Sequence, residues 1–375
     1  MTQSELGLSD PVSYHYGGFP PTDLRYNEII SPLAHASAAI ARYEQMLQGI
    51  HNPRFFLAPL ERQEAISSSR MEGTISSLDE LLVYEANLEE GKSTPSARQD
   101  TLEVHAYRIA MNTAEKKMME GEKLSDEFLC GVHKSLLAFT RGRDKNPGEF
   151  KTTPNYLVDG NGRLRFTPIR PNLLQQGLSD LYSFINTSEE HPLVKTAIAH
   201  VEFEALHPFN DGNGRMGRIL ITLMMWELGL ISRPCFYISG SLERKKGDYI
   251  NLMRNVSATG DWTSWCIFFL EAVRGQAYMN LDKSEKLRDL YERMKEIFRE
   301  CLSSKWSINA LDFMFANPVF RNNTFTSNAS GIPQQTAHRF TRKLLDAELL
   351  IVVQHPSGRS AGLYAFEPLL QILRD

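Results

Sequence analysis

The chain has 375 residues, enough for two or three domains at roughly 150 residues each. Apolar residues make up 42% and charged residues 23%, the balance of a folded globular protein and not of a disordered or collagen-like one. With 41 Lys and Arg against 45 Asp and Glu, the net charge of −4 excludes a basic field over the whole surface but not a local basic patch.

Residues 1–30 read as a loose arm. Helices are predicted at Leu33–Leu47, from Pro59 to near Gly73, and at Leu78–Leu88, from apolar residues at helical spacing. Gly91–Ser96 (GKSTPS) reads as a linker. Two helices follow, Leu102–Met119 and Leu124–Phe139, then a turn-like stretch over Arg141–Gly148. Phe150–Thr167 holds two β-prone runs around Asp159-Gly160-Asn161-Gly162, a hairpin signal. Helices are predicted again at Pro171–Asn186, Pro192–Leu206, Gly214–Leu228, Asp248–Ala258 and Trp262–Arg274. The last part carries a charged helix, Asp282–Leu302, then helices at Ser307–Phe315 and Ile332–Glu348. Short β-prone runs at Leu350–Val353 and Gly362–Phe366 complete the helix, helix, hairpin layout of a winged helix-turn-helix.

The richest apolar run, Ile219–Trp226, is broken by Thr222 and falls far short of the ~20 residues a membrane span needs. Met1–Pro21 is polar and Gly/Pro-rich and does not read as a signal peptide. Cys130, Cys235, Cys266 and Cys301 form no CxxC pair, which argues against a zinc site or disulfide framework and for a cytoplasmic protein with buried thiols.

The most informative stretch is His207-Pro208-Phe209-Asn210-Asp211-Gly212-Asn213-Gly214-Arg215-Met216-Gly217-Arg218. Pro208 must end the preceding helix, and a loop with two glycines then feeds a second helix. Such a helix start gathers free N–H groups and the positive dipole end, an anion site. Arg215 and Arg218, three apart, share one face of its first turns and add positive charge where local folding does not favour it. A polyanion would compensate. Asp211 supplies a carboxylate suited to Mg²⁺ bound to phosphates, and His207 a group that takes a proton near neutral pH. The assembled chemistry is nucleotide phosphate transfer. The other DGNG, at 159–162, has no apolar helix after it and reads as a hairpin turn.

This string resembles the Fic family motif, HPFxDGNGRxxR, at every fixed position. The similarity extends to the helix Ala199–Leu206, to Arg141–Lys151 before the hairpin, and to Gly260-Asp261-Trp262 with Trp265 and Phe268–Glu271. The resemblance implies a mainly α fold: a Fic-type helical core with a β-hairpin flap, an N-terminal helical domain, and a C-terminal winged helix. The divisions expected are 1–97, 98–280 and 281–375. It also implies transfer of AMP from ATP to a hydroxyl of a target protein, with release of pyrophosphate. His207 would be the general base and Phe209 the anchor of the loop. Asp211 would bind Mg²⁺, and Gly212, Asn213 and Gly214 would form the anion hole. Arg215 would meet the β-phosphate region and Arg218 the γ-phosphate. The hairpin at 152–167 would be a flap that aligns a protein target by strand addition. Here Thr153-Pro154-Asn155-Tyr156-Leu157 replaces a common Gln-Asn-Trp-Ile string. Tyr249, and more weakly Asn255, would contact the adenine.

Ser68-Ser69-Arg70-Met71-Glu72-Gly73 resembles the inhibitory motif of the family, [ST]xxxE[GN]. Gly73 can end the helix in the left-handed conformation and leave Glu72 at its tip, where a carboxylate wants a cation. The resemblance names Arg218 as that cation, so Glu72 and Ser68 would form a brake on ATP alignment, and Glu72 would be a candidate for positioning water in AMP removal. Residues 301–375 carry seven Lys/Arg against five Asp/Glu. Gln334, Gln335, His338, Arg339 and Arg342 can face outward from the second helix of the winged layout while Ala337, Phe340 and Leu344 face in, which leaves DNA and protein partners both open. Self-modification, a homodimer, another phosphate-containing cargo, and a winged-helix regulator with a nucleotide-sensing core stand as alternatives.

Overall fold

The computed structural model describes residues 11–48, 53–88, 98–328, 331–358 and 360–374. In chain order these form β1 (Val12–Ser13), α1 (Tyr26–Gln48), α2 (Pro53–Met71), α3 (Leu78–Leu88), α4 (Gln99–Met119), α5 (Asp126–Leu137), β2 (Leu157–Val158), β3 (Leu164–Thr167) and α6 (Pro171–Thr187). Next come α7 (Pro192–Leu206), α8 (Asn213–Glu227), α9 (Ser239–Arg244), α10 (Lys246–Thr259), α11 (Trp262–Leu302), α12 (Ser307–Ala316), β4 (Val319–Arg321), α13 (Asn322–Asn328), α14 (Gln334–Asp346), β5 (Leu350–Gln354), β6 (Leu363–Phe366) and α15 (Glu367–Arg374). The chain is mainly helical, as expected. The expected linker at 91–96 and the first ten residues of the arm lie outside the described residues.

The chain divides into two compact units. The first comprises Met1–Met46, Ser67–Thr74 and Leu102–Tyr278. Its centre is α7, buried from Leu193 to Leu206 except at Glu204. Pro192 starts α7 where its missing N–H costs nothing, and His191 Nδ1 accepts from Leu193 N at 3.1 Å. α6 and α8 pack against α7. Trp265 of α11 is fully buried and donates its indole N–H to Ala197 O at 2.7 Å. A three-stranded sheet in the order β1-β3-β2 lies in this unit. β2 and β3 are antiparallel, and the first DGNG is their turn, with Asp159 Oδ1 accepting from Asn161 N and Arg163 N.

The fold departs from several expectations. The arm over 11–25 is not loose: Val12 and Ser13 pair in parallel with Phe166 and Thr167, and Val12 packs with Phe166 and Ala205. Tyr14 and His15 both hydrogen-bond the buried Glu202 carboxylate at 2.8 Å, and Phe19 packs on Phe184. Helix α1 accordingly begins at Tyr26. Second, Trp262–Arg274 and Asp282–Leu302 are one helix of 41 residues. Nothing between them breaks a helix except Gly275, and a lone glycine costs only about 1 kcal/mol. Similarly, α2 starts at Pro53, and Pro59 sits inside it.

The second unit comprises Leu47–Ile66, Ile75–Thr101 and Met279–Asp375. Its sheet runs β4-β6-β5, all antiparallel, with Phe320 opposite Tyr364 and Ile351 opposite Ala365. β4, α13 and α15 were not anticipated. On α14, Ala337, Phe340 and Leu344 are buried while Gln334, Gln335, His338, Arg339 and Arg342 are exposed. The buried Arg321 donates to Asn87 Oδ1, Gln354 Oε1 and Ala361 O at 2.6–3.0 Å.

Candidate active site

The site lies where α7 gives way to α8. Pro208 cannot continue the helix, and His207 takes the left-handed conformation at its end, with φ of 47°. That region is costly for a residue with a Cβ and marks a position fixed by its surroundings. The His207 N–H still closes the helix on Phe203 O at 3.0 Å, and its Nδ1 lies 3.3 Å from Glu204 O. Burial, and next the charge of Lys151, pull the imidazole down to about 4. It is therefore neutral and able to accept a proton at neutral pH.

The loop that follows is held from below. Phe209 is fully buried, and its ring lies flat on His133, centroids 3.7 Å apart. Asn213 closes on the backbone of Phe209, accepting from its N–H and donating to its carbonyl, both at 2.8 Å. Gly148 N donates to His133 Nδ1, so Nε2 carries the hydrogen and donates to Asp211 O at 2.9 Å. Burial keeps His133 neutral, lowered to about 4. Gly212, at φ 77°, opens α8 in a conformation that favours glycine. The Asp211 carboxylate accepts from Gly212 N at 2.6 Å and lies 3.5 Å from Arg215 Nη2. Arg215 is 4% exposed, and its Nε and Nη1 have no hydrogen-bond partner. Buried guanidinium N–H groups beside a helix N-terminus are open donors for an anion.

Arg218 is committed elsewhere. Its Nε donates to Ser68 Oγ at 2.8 Å, and its Nη2 to Ser68 O at 2.9 Å and Glu72 Oε1 at 2.6 Å. Gly73, at φ 87°, ends α2 and leaves Glu72 at its tip. Lys246 Nζ donates to Met71 O at 2.6 Å, a cation on the negative end of α2. A Cβ on Gly214 would fall on the Glu72 carboxylate, so that glycine makes the space Glu72 occupies. Burial alone would raise Glu72, but Arg218, with Arg215 and Lys246 behind it, outweighs burial and holds the carboxyl below its ordinary value. Burial would lower Arg218, and Glu72 more than reverses this.

Some of these groups meet in a cavity of about 440 Å³. Glu72, His207, Gly214, Arg218 and Tyr249 line it, together with Leu157 and Val158 of the hairpin. Tyr249 is 3% exposed and its hydroxyl lies 2.8 Å from His200 Nε2. Asp211, Gly212, Asn213, Arg215, Ser68 and Phe209 are not in the wall, and neither is Asn255, whose carbonyl accepts from Thr259.

Glu204 also lines the cavity, and sequence reasoning passed over it. Its Oε1 is buried without a hydrogen-bond partner, and it fills a niche that a Cβ on Gly217 would close. Burial lifts this carboxyl to about 7. Its only sequence signal is its place three residues before His207, and Lys195, His200 and Glu202 of the same helix are polar as well. His133 carried none, because 78 residues separate it from the Asp211 carbonyl it supports.

Comparison with known proteins accords with this geometry. Residues 30–116 match the Fic/DOC family N-terminal region and residues 123–225 the Fic/DOC family domain, together about half of the chain. A stretch of 113 residues is 31% identical to the protein adenylyltransferase fic-1 of Caenorhabditis elegans, covering 29% of this chain and 21% of that protein. A stretch of 160 residues is 25% identical to the uridine 5'-monophosphate transferase of Xanthomonas campestris pv. campestris, covering 39% of this chain and 29% of that one. The chain thus spans under a third of the length of these two curated relatives. The crystal structure of a Fic family protein from Desulfovibrio desulfuricans shares the fold, with a TM-score of 0.58, 21% identity, and coverage of 92% of this chain and 98% of that one. By the two matched regions, the chain belongs to the Fic/DOC family.

Proposed function

We propose that this chain is an autoinhibited protein adenylyltransferase that moves AMP from ATP to a Tyr, Thr or Ser hydroxyl of a protein. The observation that carries this is a neutral His207 at the end of α7 followed directly by a helix start, α8, whose Arg215 has unsatisfied donors. The target oxygen attacks the α-phosphorus, His207 takes its proton, and the bond to the β-phosphate breaks to release pyrophosphate. The amides at Gly212, Asn213 and Gly214 and the Arg215 guanidinium receive the phosphates. Phe209, locked on His133, keeps the loop in place.

Among the described residues no three His, Cys, Asp or Glu side chains gather as a metal cluster. Asp211 offers one carboxylate beside the loop amides, 41% exposed. A single hard oxygen donor fits Mg²⁺ held mostly by phosphates and water. Mg²⁺ bound there would neutralise phosphate charge.

The brake is Glu72 on Arg218. While that pair stands, Arg218 cannot reach the γ-phosphate. Glu72 released from it would be a candidate for positioning a water in AMP removal. The exposed β2 edge, with Tyr156 and Val158 outward, would take a target strand or, in self-modification, a segment of another copy. We read 1–97 as regulatory, 98–280 as the core and 281–375 as a winged-helix module that docks protein, with DNA as the competing partner, in a cytoplasmic protein. Among the described residues no helix is long and apolar enough to cross a membrane.

The test is intact-mass spectrometry after incubation with ATP, Mg²⁺ and cell lysate. An adduct of about 329 Da on protein hydroxyls is expected. The uridylyl-transferring relative favours a second reading, the same chemistry with a different base. An adduct of about 306 Da from UTP, and none from ATP, would replace the first with the second.

A further inference from the structure

Lys151 and Asn155 lie between the turn at Asn146-Pro147-Gly148 and β2. Lys151 donates its backbone N–H to Pro208 O at 2.8 Å and its Nζ to Leu206 O and Asn155 Oδ1, both at 2.9 Å. Asn155 Nδ2 donates to His207 O at 3.1 Å and Phe209 O at 3.0 Å. Four consecutive carbonyls, Leu206 to Phe209, are thereby held from the base of the flap. The first is an acceptor that the end of α7 leaves without a helical donor, and the second belongs to the left-handed His207. An amide is the one uncharged side chain that can accept from Lys151 and donate twice from the same end. Lys151 is 3% exposed and its Nζ partners are neutral oxygens, so it acts here as a donor and not as half of an ion pair. Burial draws its amine down to about 7.

We propose that Lys151 and Asn155 are positioning residues that tie the flap to the catalytic loop, so that the flap and His207 move as one body. The inference rests on the transfer chemistry proposed above. β2 begins two residues after Asn155. A target strand that pairs with β2 then steadies the base as well as aligning the hydroxyl.

Asn155→Asp is the diagnostic change. It keeps an acceptor for Lys151 and turns the two donations into a carboxylate facing carbonyls. Lys151→Met keeps the apolar stem and removes donors and charge, and Lys151→Arg keeps both. In a Glu72→Gly background, Asn155→Asp and Lys151→Met are each expected to lower kcat for AMP transfer by about ten- to a hundredfold. KM for ATP should stay within about twofold, and Lys151→Arg should keep kcat within about threefold. An unchanged kcat in Asn155→Asp, or a loss confined to KM for ATP, overturns the proposal. Should Asn155→Asp not fold, Asn155→Ser is measured against the same two outcomes.

A second readout needs no transfer. The charged groups acting on His207 are Lys151 from the flap base and Glu72 from the tip of α2, and the Glu204 carbonyl faces it from its own helix. Without the Lys151 charge, the His207 ring, followed by NMR, should titrate at higher pH in Lys151→Met than in the parent. An unmoved titration overturns the clamp. If the parent transfers no AMP from ATP at all, the transfer reading fails by itself, and the titration still decides the clamp.

Discussion

Arg218 Nη2 lies 2.6 Å from Glu72 Oε1, although 146 residues separate them in the chain. Both belong to the first compact unit, and the pair is fixed from both sides. Gly214 clears the space for the carboxylate, and Ser68 takes two more donors of the guanidinium. Arg218 is 1% exposed, so its charge must find a partner inside the protein. Under the proposed function a nucleoside triphosphate would offer one, and Glu72 would compete with it.

Replacing Glu72 with Gly removes the competitor. Incorporation of radiolabel from α-labelled ATP should rise by about tenfold or more, the factor that about 1.4 kcal/mol of lost pairing corresponds to. Labelling equal to that of the parent would remove the brake from the account.

His207→Ala should separate binding from chemistry. Transfer is expected to fall by about 10²–10⁴, the usual worth of a positioned proton acceptor. Calorimetric ATP affinity should stay close to that of the Glu72→Gly parent. Transfer that survives at the parental rate would assign the base to another group.

Two buried histidines, His133 and His200, give the core a pH dependence. Burial lowers His133 to about 4 and His200 to about 3. The unfolded chain, with histidines near 6.5, binds these protons first as pH falls. Folding stability is therefore intact above 6.5 and drains away between 6.5 and about 3. At pH 5 each fully buried histidine costs about 2 kcal/mol relative to pH 7. Urea midpoints at the two pH values check this, and equal midpoints would contradict it.

Two glycines should respond in opposite directions to alanine. In Gly217→Ala the new methyl meets the Glu204 carboxylate and the His200 ring, a crowding expected to cost about 1–3 kcal/mol. Gly247, in the first turn of α10, has open space around it. Gly247→Ala should be neutral or stabilise by up to about 1 kcal/mol. Thermal melts of both variants test the pair of outcomes.

Local signals carried much of this architecture. Pro192 and Pro208 bracket α7, so its limits at Pro192 and Leu206 could be read directly. The two DGNG strings were separable because only the second precedes an apolar helix. On α14, period and polarity sorted the exposed from the buried face. What escaped was contact between distant segments. Val12 and Ser13 form a strand only because β3 stands beside them. Glu202 and Glu204 look alike in sequence. Packing makes the first a bonded buried carboxylate and the second an unsatisfied one in the cavity wall. Lys151 and Asn155 matter through carbonyls more than 50 residues away, which no periodicity encodes.

The parallel seam between β1 and β3 has a practical side. Cutting the chain back past Ser13 would strip one border of the three-stranded sheet and bare the outer hydrogen-bonding groups of β3. Cutting past His15 would also orphan both oxygens of Glu202, whose side chain is sealed from solvent. Such a shortened protein would carry two raw borders on its hairpin instead of one. It would also present an invitation to self-pairing that the intact arm withholds.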